Sequence, residues 1–145
     1  MAQLLHQEVQ YTYEDFLLFP EDGKRHELIA GERFMSPSPR IKHQKISGRL
    51  FNKIYNFLEE TPLGEVFSAP TDIIFSNIDI VVPDILFVST KRKAIITEKN
   101  LQGAPDLIIE ILSKSTRNTD ERLKRNLYEH HGVTEYWIVD PESET

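Results

Sequence analysis

The sequence predicts an α/β fold in which helices pack on a mixed β-sheet. Three observations predict it. Apolar residues recur at helical spacing between His43 and Glu60. Short apolar runs bounded by glycine and proline follow, as is typical of strands. Near the end of the chain a strand, a helix and a second strand follow one another, and such a unit normally makes a right-handed crossover between parallel strands.

The first half of the chain should hold a short helix, a strand pair and a long helix. Thr12-Tyr13-Glu14-Asp15 has the spacing of a helix cap, and Pro20 ends the short helix that this cap begins. Two apolar runs, 26–29 and 32–35, are separated by a tight turn and predict a strand pair. The long helix is predicted over 43–60 and ends before a proline and a glycine.

The second half should hold the sheet and one more helix. Asn118-Thr119-Asp120 can cap a helix that runs to about His131, with Leu123 and Leu127 facing inward and Gly132 as its stop. Strands are predicted over 66–69, 72–75, 78–88, 106–112 and 134–140.

Size and composition bound the class of protein. The chain has 145 residues, so we expect a single domain over residues 1–145. It has no cysteine, which excludes disulfide scaffolds, thiol catalysis and cysteine-ligated metal sites. No apolar run approaches the roughly 18 residues of a membrane span. No secretory signal is visible at the N-terminus, so the sequence predicts a cytoplasmic protein without a membrane partner.

The net charge of −6 argues against a non-specific nucleic-acid coat, but the basic residues are clustered. One interpretation is three solvated surfaces, and the other is a basic rim around an acidic site. Fourteen of the 17 lysines and arginines lie in three segments: Arg40, Lys42, Lys45, Arg49 and Lys53; Lys91, Arg92, Lys93 and Lys99; and Lys114, Arg117, Arg122, Lys124 and Arg125.

Two carboxylates interrupt strands that should be buried. Glu110 lies in the middle of the apolar run 107–112, and Asp84 follows Pro83 in the apolar run 81–88. A lone buried carboxylate costs several kcal/mol, and two neighbouring carboxylates repel each other unless a cation lies between them. Magnesium, which prefers oxygen ligands, is the natural cation. The alternative is that each carboxylate pairs with an arginine or caps a turn.

Lys124 is the third candidate for this site. It lies on the helix that follows Glu110, and Asp120, Lys124 and Tyr128 form a polar stripe at a spacing of four residues. A helix that returns over the sheet could direct the ammonium group towards the carboxylates. The alternative is an ordinary exposed lysine on a helix surface.

These residues resemble a known family. Pro83-Asp84, followed 26 residues later by Glu110, resembles the PD-(D/E)XK nuclease pattern. A longer match, from about Tyr11 to Pro141, resembles the Uma-two family of bacterial endonucleases on the restriction-endonuclease-like fold. The matching segments are His26-Glu27-Leu28-Ile29-Ala30-Gly31-Glu32, His43-Gln44, Val82-Pro83-Asp84, Pro105 to Ser113, and Asp120 through Lys124, Tyr128 and Gly132 to Pro141.

The resemblance implies roles for single residues. Asp84 and Glu110 would hold Mg²⁺ or Mn²⁺, with the main-chain carbonyl of Ile111 as a further ligand. Lys124 would orient the attacking water. Glu27 resembles an auxiliary acidic residue of such sites, and its alternative is a surface carboxylate paired with Lys24 or Arg25.

The chain departs from the family pattern in two places. Leu112 stands where the signature lysine is expected, so Lys124 or its competitor Lys114 must take that role. Relatives usually continue for one or two strands after Asp140-Pro141, so the domain is expected to lack C-terminal strands.

The resemblance also implies a substrate. The expected substrate is nucleic acid, most simply DNA, cut by a homodimer with two symmetric sites. His43 and Tyr128 are auxiliary candidates, although a helix cap or a satisfied polar contact would explain His43 equally well. The alternatives in function are an inactive nucleic-acid-binding module and a structural or partner-binding protein. The residues expected to contact the nucleic-acid backbone are Arg40, Lys42, Lys45 and Arg117.

Overall fold

The computed structural model describes residues 9–143, in which eight strands form two four-stranded sheets joined and covered by helices. The predicted α/β class is confirmed. The predicted absence of a secretory signal concerns residues 1–8, which lie outside the described residues. Within residues 9–143, no helix combines the length and the apolar character that crossing a membrane requires.

The N-terminal elements follow the prediction. Helix α1 (Tyr13–Phe16) begins with a capping box in which the Thr12 N–H donates to the Asp15 carboxylate at 2.8 Å. Strands β1 (Arg25–Ile29) and β2 (Glu32–Ser36) then form an antiparallel hairpin. The long helix α2 (Ile41–Glu60) begins two residues earlier than predicted.

The predicted strand over 78–88 is wrong, because it is two strands in different sheets. Strand β5 (Asp79–Val81) belongs to the first sheet, and strand β6 (Ile85–Ser89) belongs to the second. The chain leaves one sheet and enters the other through Val82-Pro83-Asp84, all of which are buried. Pro83 has no N–H to donate to a sheet ladder, so the ladder stops there.

The two sheets differ in character. The first sheet includes β4 (Ile73–Ser76), has the order β2-β1-β5-β4 and is antiparallel. Strand β3 (Gly64–Ser68) belongs to the second sheet. The second sheet has the order β3-β6-β7-β8, where β7 is Leu107–Ile111 and β8 is Glu135–Val139. Only β7 and β8 are parallel, as the strand–helix–strand unit predicts. A short 3-10 helix, residues 90–95, follows β6.

One apolar core joins the sheets. It combines side chains of the first sheet with side chains of the second sheet and of the last helix. We expect the two sheets to fold as one unit, because neither sheet buries this surface alone. The core contains Ile29, Ile73, Val81, Leu86, Val88, Leu101, Ile108, Leu127 and Tyr128.

The last helix is longer and less regular than predicted. Helical structure begins at Arg117, widens into a π-helical turn over Thr119–Leu123 and continues as α3 (Lys124–His131). Asn118 is therefore inside the helix rather than its cap. The predicted inward position of Leu123 is also wrong, since this side chain is 41% exposed. The π turn adds a residue and rotates Leu123 outward, while Leu127 stays buried.

Candidate active site

Asp84 and Glu110 lie on neighbouring strands at the end of the second sheet. The antiparallel register pairs Ile85 with Ile109, which brings Asp84 opposite Glu110. The Asp84 N–H donates to Glu110 Oε1 at 3.2 Å, and the Ile111 N–H donates to Asp84 Oδ2 at 2.7 Å. Asp84 is 2% exposed and Glu110 is 1% exposed. Both carboxylates are therefore buried and next to each other.

Glu27 reaches the same place from the first sheet. It lies at the centre of β1, and its Oε2 accepts hydrogen bonds from the Val82 N–H at 2.8 Å and from Lys124 Nζ at 2.9 Å. Glu27 is 3% exposed, so it is not the surface carboxylate of the alternative interpretation. The site lies where the two sheets meet, and each sheet supplies carboxylates.

Lys124 lies among these carboxylates. Its Nζ is 2.5 Å from Glu110 Oε2 and 3.5 Å from Asp120 Oδ1, in addition to its contact with Glu27. The Tyr128 hydroxyl donates to the same Glu110 oxygen at 3.1 Å. Asp120, Lys124 and Tyr128 are all buried, as a polar stripe that faces the sheet requires. The π turn ends at Lys124, the first residue of α3.

Two further basic side chains approach Asp84. Arg25 NH1 lies 3.0 Å from Asp84 Oδ1 and 4.0 Å from Glu110 Oε1. His43, in the first turn of α2, places its Nε2 3.3 Å from the same Asp84 oxygen. Neither contact has hydrogen-bond geometry, so Asp84 Oδ1 is buried without a hydrogen-bond partner among residues 9–143.

The sequence interpretation left open that an arginine pairs with Asp84, and the structure shows that pairing, but the sequence did not identify Arg25 as the residue. The sequence places Arg25 two residues before Glu27, and residues at this spacing project from the same face of a strand. That period-two relation is the signal that could have identified it. His43 is not the helix cap, because Arg40 holds that position.

The cluster holds more buried carboxylates than buried cations. Burial raises the pKa of Glu110 to about 8, and although Lys124 opposes this shift, the neighbouring Asp120, Asp84 and Glu27 add to it. Burial likewise raises the pKa of Asp120 to about 6, against the opposing effect of Lys124. We expect the cluster to retain a proton at neutral pH.

The pKa values of Asp84 and Lys124 shift towards their charged forms. Burial alone would raise the pKa of Asp84, but His43 and Arg25 outweigh it and lower the pKa. Burial alone would lower the pKa of Lys124, but the surrounding carboxylates, Glu110 first, raise it well above its usual value. Lys124 is therefore an ammonium ion, and Asp84 is a carboxylate.

The donor set fits a hydrated divalent ion. Within the described residues, no group of three or more His, Cys, Asp or Glu side chains could hold a metal ion, so an all-protein cage does not fit. Mg²⁺ commonly binds through one or two carboxylates and keeps several waters. Asp84 and Glu110 supply such a pair, and among residues 9–143 Asp84 Oδ1 accepts no hydrogen bond, although Arg25 and His43 lie beside it.

The other predicted residues lie outside this cluster. Lys114 is exposed, and no contact joins it to the carboxylates within residues 9–143, whereas Lys124 contacts three of them. Arg117 NH2 and NH1 lie 2.9 Å from Asp140 and 3.4 Å from Glu121, respectively, so its charge is already paired. Ile111 contributes its N–H to Asp84.

Two of the basic segments lie at different distances from the site. Arg40, Lys42 and Lys45 are exposed near the start of α2, close to His43 and hence to the site. Lys91, Arg92 and Lys93 follow β6, whereas Asp84 precedes it. A five-residue strand separates them by roughly 17 Å.

Comparisons with known proteins point to one family. The family model Uma2, described as "Putative restriction endonuclease", matches residues 13–145. The crystal structure of a putative nuclease belonging to DUF820 from Anabaena variabilis is 26% identical, with a TM-score of 0.72. The match covers 90% of this chain and 74% of that chain. No curated protein matches. The structural similarity confirms the expected restriction-endonuclease-like fold.

Proposed function

This chain belongs to the Uma2 family of nucleases, and we propose that it is an endonuclease that uses Mg²⁺ or Mn²⁺ to hydrolyse phosphodiester bonds of DNA in the bacterial cytoplasm. The family supports a nuclease acting on nucleic acid. The metal, the choice of DNA and the residue roles below are our proposal.

A single observation supports the proposed endonuclease activity. Asp84, Glu110, Glu27 and Lys124 converge from two sheets and a helix, and each is at most 3% exposed. A core that needed only stability would rarely place three carboxylates and an ammonium together, because burying each charge costs several kcal/mol. Buried, mutually perturbed titratable groups are instead typical of catalytic sites.

Asp84 and Glu110 would hold the ion, with the carbonyl of Ile111 as a third protein ligand. A divalent ion there would polarise the phosphate and lower the pKa of the attacking water. The Ile111 N–H fixes Asp84 Oδ2 at 2.7 Å, so Oδ1, the oxygen beside Arg25, would be the one to face the ion. The Asp84 N–H orients Glu110 Oε1 in the same way.

Lys124 would orient the water and stabilise negative charge on the phosphate. Its ammonium is fixed by Glu110 and Glu27, so it needs little reorganisation during the reaction. Glu27 would act as a positioning residue that also anchors the Val82 N–H. Tyr128 would hold the second Glu110 oxygen.

The exposed Arg40, Lys42 and Lys45 support a contact with the nucleic-acid backbone beside the site. Arg117 would join them only by leaving Asp140. Cutting both strands of a duplex is simplest for a homodimer with two symmetric sites, which we propose as the active form. Light scattering during size-exclusion chromatography should give about twice the monomer mass, and a monomer that still linearises plasmid would contradict it.

Nicking of supercoiled plasmid tests the proposed activity. With Mg²⁺ or Mn²⁺ the wild type should convert supercoiled plasmid into open-circle or linear forms, and EDTA should stop it. Asp84→Asn and Glu110→Gln, which keep side-chain size, should each lower the rate at least about 100-fold, since they remove ligand charge.

Asp106→Asn is the matched control. Asp106 also accepts a main-chain N–H, from Ser89 at 2.6 Å, and bridges the same two strands at the opposite end from Glu110. The Asp106→Asn variant should nick plasmid at the wild-type rate. Cleavage by Asp84→Asn at the wild-type rate would contradict the proposal, as would DNA binding by the wild type without any metal-dependent nicking.

A further inference from the structure

Arg25 occupies a position that the proposed function does not explain. Its guanidinium lies 3.0 Å from Asp84 Oδ1 and 4.0 Å from Glu110 Oε1, and a single nitrogen, NH1, makes both contacts. These two oxygens belong to the two carboxylates that should share an ion. Arg25 therefore lies where positive charge between the two carboxylates is most favourable.

The same oxygens cannot serve both cations. A Mg²⁺ ligand oxygen lies about 2.1 Å from its ion, so an ion on the NH1 side of Asp84 Oδ1 would overlap the position of a nitrogen 3.0 Å away. The two positive charges would also repel each other in a poorly hydrated site. Binding on that side requires the guanidinium to move.

Arg25 is free to make such a movement. Its side chain is 22% exposed, whereas Lys124, the other cation of the cluster, is 3% exposed and fixed by three carboxylates. Arg25 is also the first residue of β1, so its side chain leaves the sheet at the end of the strand rather than from its middle.

We infer that Arg25 and the divalent ion compete for Asp84 Oδ1 and Glu110 Oε1, so that Arg25 stabilises the ion-free site and weakens metal binding. The inference rests on the metal site of the proposed function. It adds to that function a competition between Arg25 and the metal for the same two oxygens. Removing the guanidinium should therefore strengthen metal binding while it destabilises the protein in EDTA.

Mn²⁺ titration by calorimetry tests this, with Arg25→Gln compared with wild type. The variant should bind Mn²⁺ at least about tenfold more tightly, because the ion no longer displaces a like charge. The melting temperature of Arg25→Gln in EDTA should be lower than that of the wild type. Added Mn²⁺ should raise the melting temperature of Arg25→Gln by more than it raises that of the wild type. Arg92→Gln removes the same charge at the far end of β6 and should leave the Mn²⁺ affinity within about twofold.

A second measurement uses the wild type itself, in case Arg25→Gln does not fold. The side-chain ¹⁵Nε–¹H signal of Arg25, assigned with Arg25→Lys, should shift on addition of Mg²⁺ and move towards the position of a solvated arginine. A guanidinium that stays in place would not give a signal at that position.

Each outcome is decisive. Equal or weaker Mn²⁺ binding by Arg25→Gln, no binding by either protein, or an unchanged Arg25 signal with bound Mg²⁺ would overturn the inference. The proposed endonuclease fails separately, if no metal-dependent nicking occurs although Arg25→Gln binds Mn²⁺ more tightly. Nicking that continues with an unaltered Mn²⁺ affinity in Arg25→Gln would overturn the inference alone.

Discussion

Glu110 shows why a carboxylate can lie inside a β-strand of this protein. Each of its oxygens has a partner: Oε1 accepts the Asp84 N–H, and Oε2 accepts Lys124 and Tyr128. The Lys124 ammonium opposes the rise that burial causes in the pKa of Glu110. The pair is expensive to break but adds little stability compared with an apolar pair of the same size.

Replacing Lys124 by methionine tests the contribution of its ammonium group to the buried cluster. Lys124→Met should lower the free energy of unfolding by about 3 kcal/mol, because it leaves Glu110 and Glu27 without their cation. Urea unfolding at pH 7.5 in EDTA measures this change in the free energy of unfolding. Plasmid nicking should fall to the level of Asp84→Asn.

Lys114→Met is the control, because Lys114 is exposed and lies outside the cluster. It should change the free energy of unfolding by less than about 0.5 kcal/mol and leave nicking intact. The double variant Lys124→Met/Glu110→Gln should regain part of the lost stability, since the carboxylate no longer needs a cation. Loss of nicking in Lys114→Met alone would show that the lysines are assigned the wrong way round.

The residues of this site were predictable to different extents. Asp84 and Glu110 are visible in the sequence because a carboxylate is out of place in an apolar run. Arg25 stands in the polar segment Lys24-Arg25-His26, where an arginine is ordinary, and only the strand period relates it to Glu27. Its contact with Asp84 joins distant parts of the chain, and no local pattern encodes such a contact.

At the scale of elements, boundaries set by turn residues were predictable, but changes of sheet and of helix register were not. Gly132 ends α3 with a φ of 83°, as its position after His131 predicts. In the run 78–88, Pro83 indicates a break in the ladder, but nothing indicates that β5 and β6 belong to different sheets, because residues in either sheet are equally apolar. No set of residue types is typical of a π turn, so its position could not be predicted from the sequence.

Two glycines allow backbone conformation to be tested alone. Gly48 lies inside α2 and Gly132 lies at the end of α3, and an added Cβ would meet nothing within 4 Å at either position. Gly48→Ala should raise the free energy of unfolding by about 0.5–1 kcal/mol, because alanine favours the helix. Gly132→Ala should lower it by about 1 kcal/mol, because its φ is positive.

Chemical unfolding of both variants provides the measurement, and each is the control for the other. Changes of the same sign would mean that packing rather than backbone conformation decides the effect. Neither glycine contacts the carboxylate cluster, so plasmid nicking should stay at the wild-type rate in both.

At the scale of the whole molecule, the charge cluster sets how stability depends on pH. The pKa of Glu110 is about 8 in the folded protein and near 4.5 when unperturbed. Between these values the folded state binds more protons than the unfolded state, so the free energy of unfolding falls as pH rises. Asp120, with a pKa of about 6, adds the same trend at lower pH.

Urea unfolding between pH 5 and pH 8 in EDTA measures this trend. The wild type should lose a few kcal/mol over that range, and Glu110→Gln should lose clearly less because glutamine does not titrate. Glu65→Gln, which changes an exposed carboxylate of β3, should follow the wild type. Stability that rises from pH 5 to pH 8, or equal slopes in wild type and Glu110→Gln, would contradict this account of the cluster.

The separation of Glu27 from Lys124 along the chain, 97 residues, has a consequence for synthesis. Contacts this distant form only when most of the polypeptide is present. A nascent chain on the ribosome that has not yet released Lys124 holds Glu27 and Asp84 but not the ammonium beside them. A half-made copy therefore lacks the assembled charge cluster.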